Sequence, residues 1–139
     1  MLPLQFIRNN KDKIILRLSK RNFKNIKIIE HIISLDETCR KIQVELDNEL
    51  SNANNINKEI GKLFKENKNI EVEELKEKSL KIKSITKNLQ NELKKNKDEL
   101  LNLRTQVPNL PDQKVPTGIS DNDNEEVYKN DKIASLDKD

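Results

Sequence analysis

The chain has 139 residues, of which 33% are hydrophobic, 3% aromatic and 37% charged, so a thick core of large side chains cannot be assembled. What remains is disorder, or long paired helices that bury one narrow seam. The net charge of +3 is uneven: residues 1–106 hold 23 Lys and Arg against 16 Asp and Glu, whereas residues 107–139 hold 4 against 8. A basic body followed by an acidic tail points to a polyanionic partner for the body.

A single cysteine, Cys39, excludes a disulfide framework and a cysteine-based metal site, and suits a reducing cytosol. The start MLPLQFIRNN has no basic region followed by a long apolar run, and no segment is long enough to span a bilayer. These features predict a soluble, cytoplasmic protein without a membrane partner.

In chain order, residues 1–34 form the first region, with apolar clusters at Leu2, Leu4, Phe6 and Ile7, then Ile14, Ile15 and Leu18, then Phe23, Ile26, Ile29, Ile32 and Ile33. Asn10 is placed to cap a short helix from Lys11 to about Lys20, its side-chain oxygen accepting from an unpaired backbone N–H. This region is predicted to be a small helical base. His31, the only histidine, stands in it without a second histidine or a cysteine pair, which argues against a catalytic or metal role.

From residue 35 the apolar spacing becomes four and three: Leu35, Cys39, Ile42, Leu46, Glu49, Ala53, Ile56, Ile60, Leu63. A second series runs Leu75, Ser79, Ile82, Thr86, Leu89, Leu93, Asn96, Leu100, Leu103. Both are heptad seams of helices rather than strands. Between them Asn67 and Asn69 suit a turn, and Glu71, Glu73 and Glu74 suit the positive end of the next helix. If the chain folds back near Asn69, Leu63 meets Leu75, Ile56 meets Ile82, Leu46 meets Leu93, Cys39 meets Leu100 and Leu35 meets Leu103, so one antiparallel hairpin satisfies both registers. The predicted fold is all-α: a base (1–34), a helix over about 35–66, a tip at about 67–71, a helix over about 72–105, and an extended, acidic, proline-containing linker (107–139). At about 1.5 Å per residue, helices of roughly 33 residues make an arm on the order of 50 Å long. Cys39, facing Leu100, is predicted to be a small core hydrophobe.

Around the second helix, the residues beside the seam form a stripe of Lys76, Lys83, Lys87, Gln90, Lys94, Lys97 and Arg104, with Leu80 and Leu101 in its gaps. The adjoining flank of the first helix carries Arg40, Gln43, Asn54, Asn57 and Gly61, with Asp47 its only acid. The other flank is mixed, because Glu45, Glu59, Glu92 and Glu99 dilute its lysines. A basic, amide-rich face suits a phosphate backbone, and the scarcity of aromatics favours a helical stem recognised by shape over stacked single strands. A lysine stripe is also what any solvated helix face presents, so a structural or protein-interaction hairpin stays open as the alternative. Gly61 either admits a ligand backbone or is a tolerated substitution. No phosphate-binding glycine loop, zinc spacing or nucleophile motif is present, so no catalytic and no metal residues are assigned.

The opening MLPLQFIRNN, the block SLDETCRKIQVELDNE (34–49), NKEIGKLFK (57–65) and the closing VPNLPDQKVPTGISDNDNEEV (107–127) together resemble the N-terminal portion of bacterial-type seryl-tRNA synthetases. Ile7-Arg8, Leu35-Asp36, Glu59-Ile60-Gly61, Pro108-Asn109-Leu110-Pro111, Val115-Pro116, Gly118 and Asp123-Asn124 fall in the family's order. Two departures are local: the family often has proline after the asparagine matched by Asn10, and histidine where Asp112 stands. The resemblance implies a tRNA-binding arm that grips the long variable arm and neighbouring elbow of serine tRNA. It also implies a homodimeric parent enzyme in which the arm of one subunit guides tRNA into the active site of the other. The class II motifs that bind ATP, Mg²⁺ and serine lie outside this sequence, so the chain alone is expected to be inactive as a ligase. By the same resemblance the strip RTQVPNLPDQKVPTG (104–118) is the joint between a flexible arm and a catalytic body.

Overall fold

A computed structural model describes residues 1–66, 68–118 and 120–129. Its elements are helices α1 (Leu4–Asn9), α2 (Lys11–Lys20), α3 (Lys27–Lys65) and α4 (Asn69–Gln106), then a 3₁₀ turn at Asp121–Asp123. No strand occurs among the described residues, and α3 and α4 pack against each other along an antiparallel hairpin. Every position of the two predicted seams is buried or half-buried, including Glu49, Ser79 and Asn96.

The base is where burial is deepest. Ile7 of α1, Ile14 and Leu18 of α2, and Ile29 and Ile32 of α3 are all at most 1% exposed. Their cluster continues into the hairpin through Cys39, Ile42, Leu46, Leu89, Leu93 and Leu100, and ends on Val107 just past α4. A charged tie crosses the same region: Arg8 Nη1 donates to Asp36 Oδ2 at 2.7 Å, fixing α1 to α3. Between α2 and α3, Asn22 takes the left-handed conformation (φ 54°), and the N–H groups of Asn22 and Phe23 close the helix end on the carbonyls of Ser19 and Leu18. Asparagine tolerates that conformation better than most residues, which makes the sharp stop possible.

Three details differ from the sequence expectation. Base and arm are not separated at residue 34, because α3 is continuous from Lys27; Ile28, Ile29 and Ile32 prolong the helical period into Leu35 and Cys39. The tip is shorter than 67–71. Helix α4 already begins at Asn69, which puts Val72, 1% exposed, on the buried side one turn earlier than the predicted seam, while Asn67 lies outside the described residues. Asn10 occupies the residue before α2 but does not cap it: its Nδ2 donates backwards to the Phe6 carbonyl at 3.1 Å. His31 is half-exposed, with Nε2 3.6 Å from Glu99 Oε1 on α4.

The proline segment is also more than a loose joint. Pro108 and Pro111 stop the helix, since proline cannot continue the hydrogen-bonded ladder. The chain then turns back over α2. Arg17 donates Nε (2.8 Å) and Nη2 to the Pro111 carbonyl, Lys20 Nζ reaches the carbonyls of Gln113 and Val115, Arg21 Nη1 that of Asn109, and Asn22 Nδ2 that of Gly118. Prolines leave carbonyls without ladder partners, and the basic end of α2 satisfies them. Residues 130–139, the far end of the predicted acidic linker, lie outside the described residues.

Candidate nucleic-acid interface

The interface is defined by the residue that follows each seam position on either helix. Two contacts bracket this flank. Near the root, Lys97 Nζ lies 3.5 Å from Gln43 Oε1; near the tip, the Lys76 ammonium sits 5.4 Å from the Phe64 ring centroid. Each joins a flank residue of α3 to one of α4, so Arg40, Asn54, Asn57 and Gly61 run along the same side of the arm as Lys83, Lys87, Gln90 and Lys94. All of these residues are exposed.

Their electrostatic states differ. Lys83, Lys87 and Lys94 make no side-chain hydrogen bond or ion pair among the described residues, and between Lys83 and Lys97 they span about 21 Å of helix at 1.5 Å per residue. Of the two acids on this flank, Asp36 is buried against Arg8 and Arg40, and Asp47 accepts from Gln43 Nε2 at 3.0 Å. The ammonium groups therefore stand as an uncompensated row. Lys76 is different: its Nζ is 2.7 Å from Glu73 Oε1 as well as over Phe64, so its charge is largely spent within the tip. Arg40, an exposed side chain, holds Asp36 through Nε at 3.5 Å, which leaves its terminal amino groups uncommitted.

Arg104, the last member of the predicted stripe, is a structural residue. Its Nη2 donates to the Leu2 carbonyl at 2.9 Å, and its Nε is buried without an acceptor among the described residues. Periodicity placed it on the basic face correctly. What periodicity could not show is that the N-terminal segment folds over that end of the arm.

Gly61 has open space where a Cβ would project. Nothing within the chain requires glycine there, so Gly61→Ala should raise the stability of the arm by roughly 0.5–1 kcal/mol through helix propensity. Thermal melts check the gain, and a concurrent loss of RNA affinity would identify the bare backbone as a contact surface.

Cys39 is buried in the seam, and its thiol pKa is raised by desolvation and then by the Asp36 charge, which disfavours the reactive thiolate. No group of three or more metal-ligating side chains is present among the described residues, and no helix there is long and apolar enough to cross a membrane.

Comparison with known proteins gives a consistent result. The family model described as "Seryl-tRNA synthetase N-terminal domain" matches residues 1–111. The serine–tRNA ligase of Mesoplasma florum is 32% identical over 127 residues, and that of Petrotoga mobilis 37% over 129. These matches cover 91% and 93% of this chain but 30% of each relative, so the chain spans under a third of their length. Among solved structures, seryl-tRNA synthetase from Pyrococcus horikoshii complexed with ATP superposes with a TM-score of 0.80 at 31% identity, over 88% of this chain and 27% of that one.

Proposed function

Because the chain belongs to the seryl-tRNA synthetase N-terminal domain family, we propose that its hairpin binds serine tRNA by laying the Lys83–Lys97 row against the backbone of the long variable arm. The observation that carries this reading is the row of unpaired ammonium groups, flanked by exposed Asn54, Asn57 and Gln90, on one side of a helical arm. Lysines supply charge to phosphates, and the amides supply hydrogen bonds without reading base sequence. A stem recognised in this way is identified by its length and angle, which is what distinguishes a tRNA with a long variable arm.

In the whole protein this arm directs tRNA to the site where serine, ATP and tRNA are ligated, with ATP and Mg²⁺ serving the catalytic domain. That reading carries with it a homodimeric, cytoplasmic parent enzyme, the arm of one subunit serving the active site of its partner. The 139-residue chain is expected to bind a serine tRNA transcript at least about tenfold more tightly than the same transcript with its variable arm deleted, measured by filter binding across a salt series. Equal binding of the two RNAs, or none at low salt, would leave the hairpin as a protein-interaction module.

A further inference from the structure

At the root of the arm the basic flank runs into a concave corner. Leu4 of α1 rises beside the hairpin, and with Leu100 and Leu101 of α4 it makes the apolar part of a groove of about 440 Å³. Leu101 is 52% exposed although it sits between two cationic turns of α4. The polar rim consists of Asp36, Arg40, Gln43, Lys97 and Arg104, the Asp36 carboxylate being already engaged by Arg8 and Arg40.

Gln43 is held twice, by Asp47 and Lys97, and each cation of the rim is held by one intramolecular bond and retains other donors. Arg40 uses Nε on Asp36, leaving both terminal amino groups; Lys97 uses one of three ammonium protons on Gln43; Arg104 uses Nη2 on the Leu2 carbonyl, leaving a buried Nε–H with no acceptor among the described residues. Donors fixed in this manner lose little freedom when a ligand arrives. The pattern is an apolar floor, a planar cation, one carboxylate already spent on two arginines, and several donors with protons to spare.

A duplex stem is far too wide for this corner, but the volume falls within the roughly 300–1,000 Å³ of sites that take one small ligand. The groove is also continuous with the lysine row, because Lys97 belongs to both. We propose that the groove receives a single unpaired nucleotide of the bound RNA, adjoining the stem that lies on the Lys83–Lys94 row. Its base lies between the Leu101 side chain and the Arg40 guanidinium plane, and its phosphate meets Lys97 and Arg104. Unstacked bases are commonly held on arginine planes where aromatic side chains are lacking. The inference deepens the RNA-binding function proposed above and rests on it.

The test uses the full 139-residue chain and a serine tRNA transcript, probed by 2′-hydroxyl acylation at unpaired nucleotides and by phosphate protection along the variable stem. The native sequence is expected to protect the stem and to silence one unpaired nucleotide beside it. Leu101→Gln and, separately, Arg40→Lys change no net charge, so the slope of affinity against salt should stay unchanged. Both should restore reactivity at that nucleotide and weaken binding by about tenfold, the scale of one lost base contact. Stem protection with no silenced nucleotide, or a silenced nucleotide indifferent to both substitutions, would overturn the groove assignment while leaving the stem contact intact. Absence of stem protection would instead overturn the RNA-binding reading itself.

Discussion

Replacing Lys83, Lys87, Lys94 and Lys97 together with Glu should lower the affinity for serine tRNA by at least about 100-fold at low salt and flatten its salt dependence. The magnitude follows from counterion release. Four lysines, each neutralising one phosphate, contribute roughly −3 to −4 to the slope of log K against log salt, which amounts to roughly 100-fold between 50 and 200 mM. Four carboxylates in their place add repulsion to that loss. The substitutions should leave the fold unchanged, because all four side chains are exposed and Glu is as good a helix former as Lys. The informative control is Lys78, Lys81 and Lys95→Glu. These lysines also lie exposed on α4 but outside the row, and reversing them should cost roughly tenfold or less through the long-range field. Similar losses from the two sets would show that binding follows overall charge and not this face.

The hairpin was legible in the sequence because its information is one-dimensional. Two heptad series of opposite direction must agree residue by residue, and the match of Leu35 with Leu103 at one end and Leu63 with Leu75 at the other leaves a single register. Thr86 and Asn96 fit that register despite being polar, since a coiled-coil seam tolerates an occasional polar layer. Val72 was missed for a related reason. Surrounded by Glu71, Glu73 and Glu74, it looks like part of an acidic loop, and only the backbone of α4 shows that it faces inward. The boundary at residue 34 was misplaced because clustered isoleucines in Ile26–Ile33 mask a helical period that runs on unbroken into the arm.

The candidate face was legible to the extent that it is a helix face. Exposure of Lys83, Lys87, Gln90 and Lys94 follows from spacing alone. The fates of Lys76 and Arg104 do not, because each depends on a partner that spacing along α4 does not reveal: the Phe64 ring across the tip, and a backbone carbonyl 102 residues away. The same holds for the proline segment. Its carbonyls are claimed by Arg17, Lys20 and Arg21 across separations of 88 to 95 residues, for which a proline run carries no local signal. Such long-range ties give the arm a braced root, and the groove bordered by Leu4 and Leu101 exists only because the N-terminal segment is tied down beside it.

Ile29→Ala should cost about 2–5 kcal/mol, among the largest single-residue losses of stability expected in the chain. Ile29 is 0% exposed and sits where α1, α2 and α3 meet, so the cavity left by the lost atoms cannot be filled by solvent or by a flexible neighbour. With whole domains stable by only about 5–15 kcal/mol, such a loss should lower the melting temperature by about 8–20 °C, at roughly 4 °C per kcal/mol for a chain of this size. Ile60→Ala, the same substitution in the outer arm, should cost roughly 1 kcal/mol, because Ile60 is half-buried opposite Ser79 and truncation there removes little packing. Thermal unfolding followed by circular dichroism measures both losses, and native-state hydrogen exchange should show the outer turns of α3 and α4 opening well before the base. Comparable losses at the two positions would mean that stability is spread evenly along the hairpin. A steep difference would mean that the base carries the fold, leaving the arm free to be thin, polar along its seam and devoted on one side to its partner.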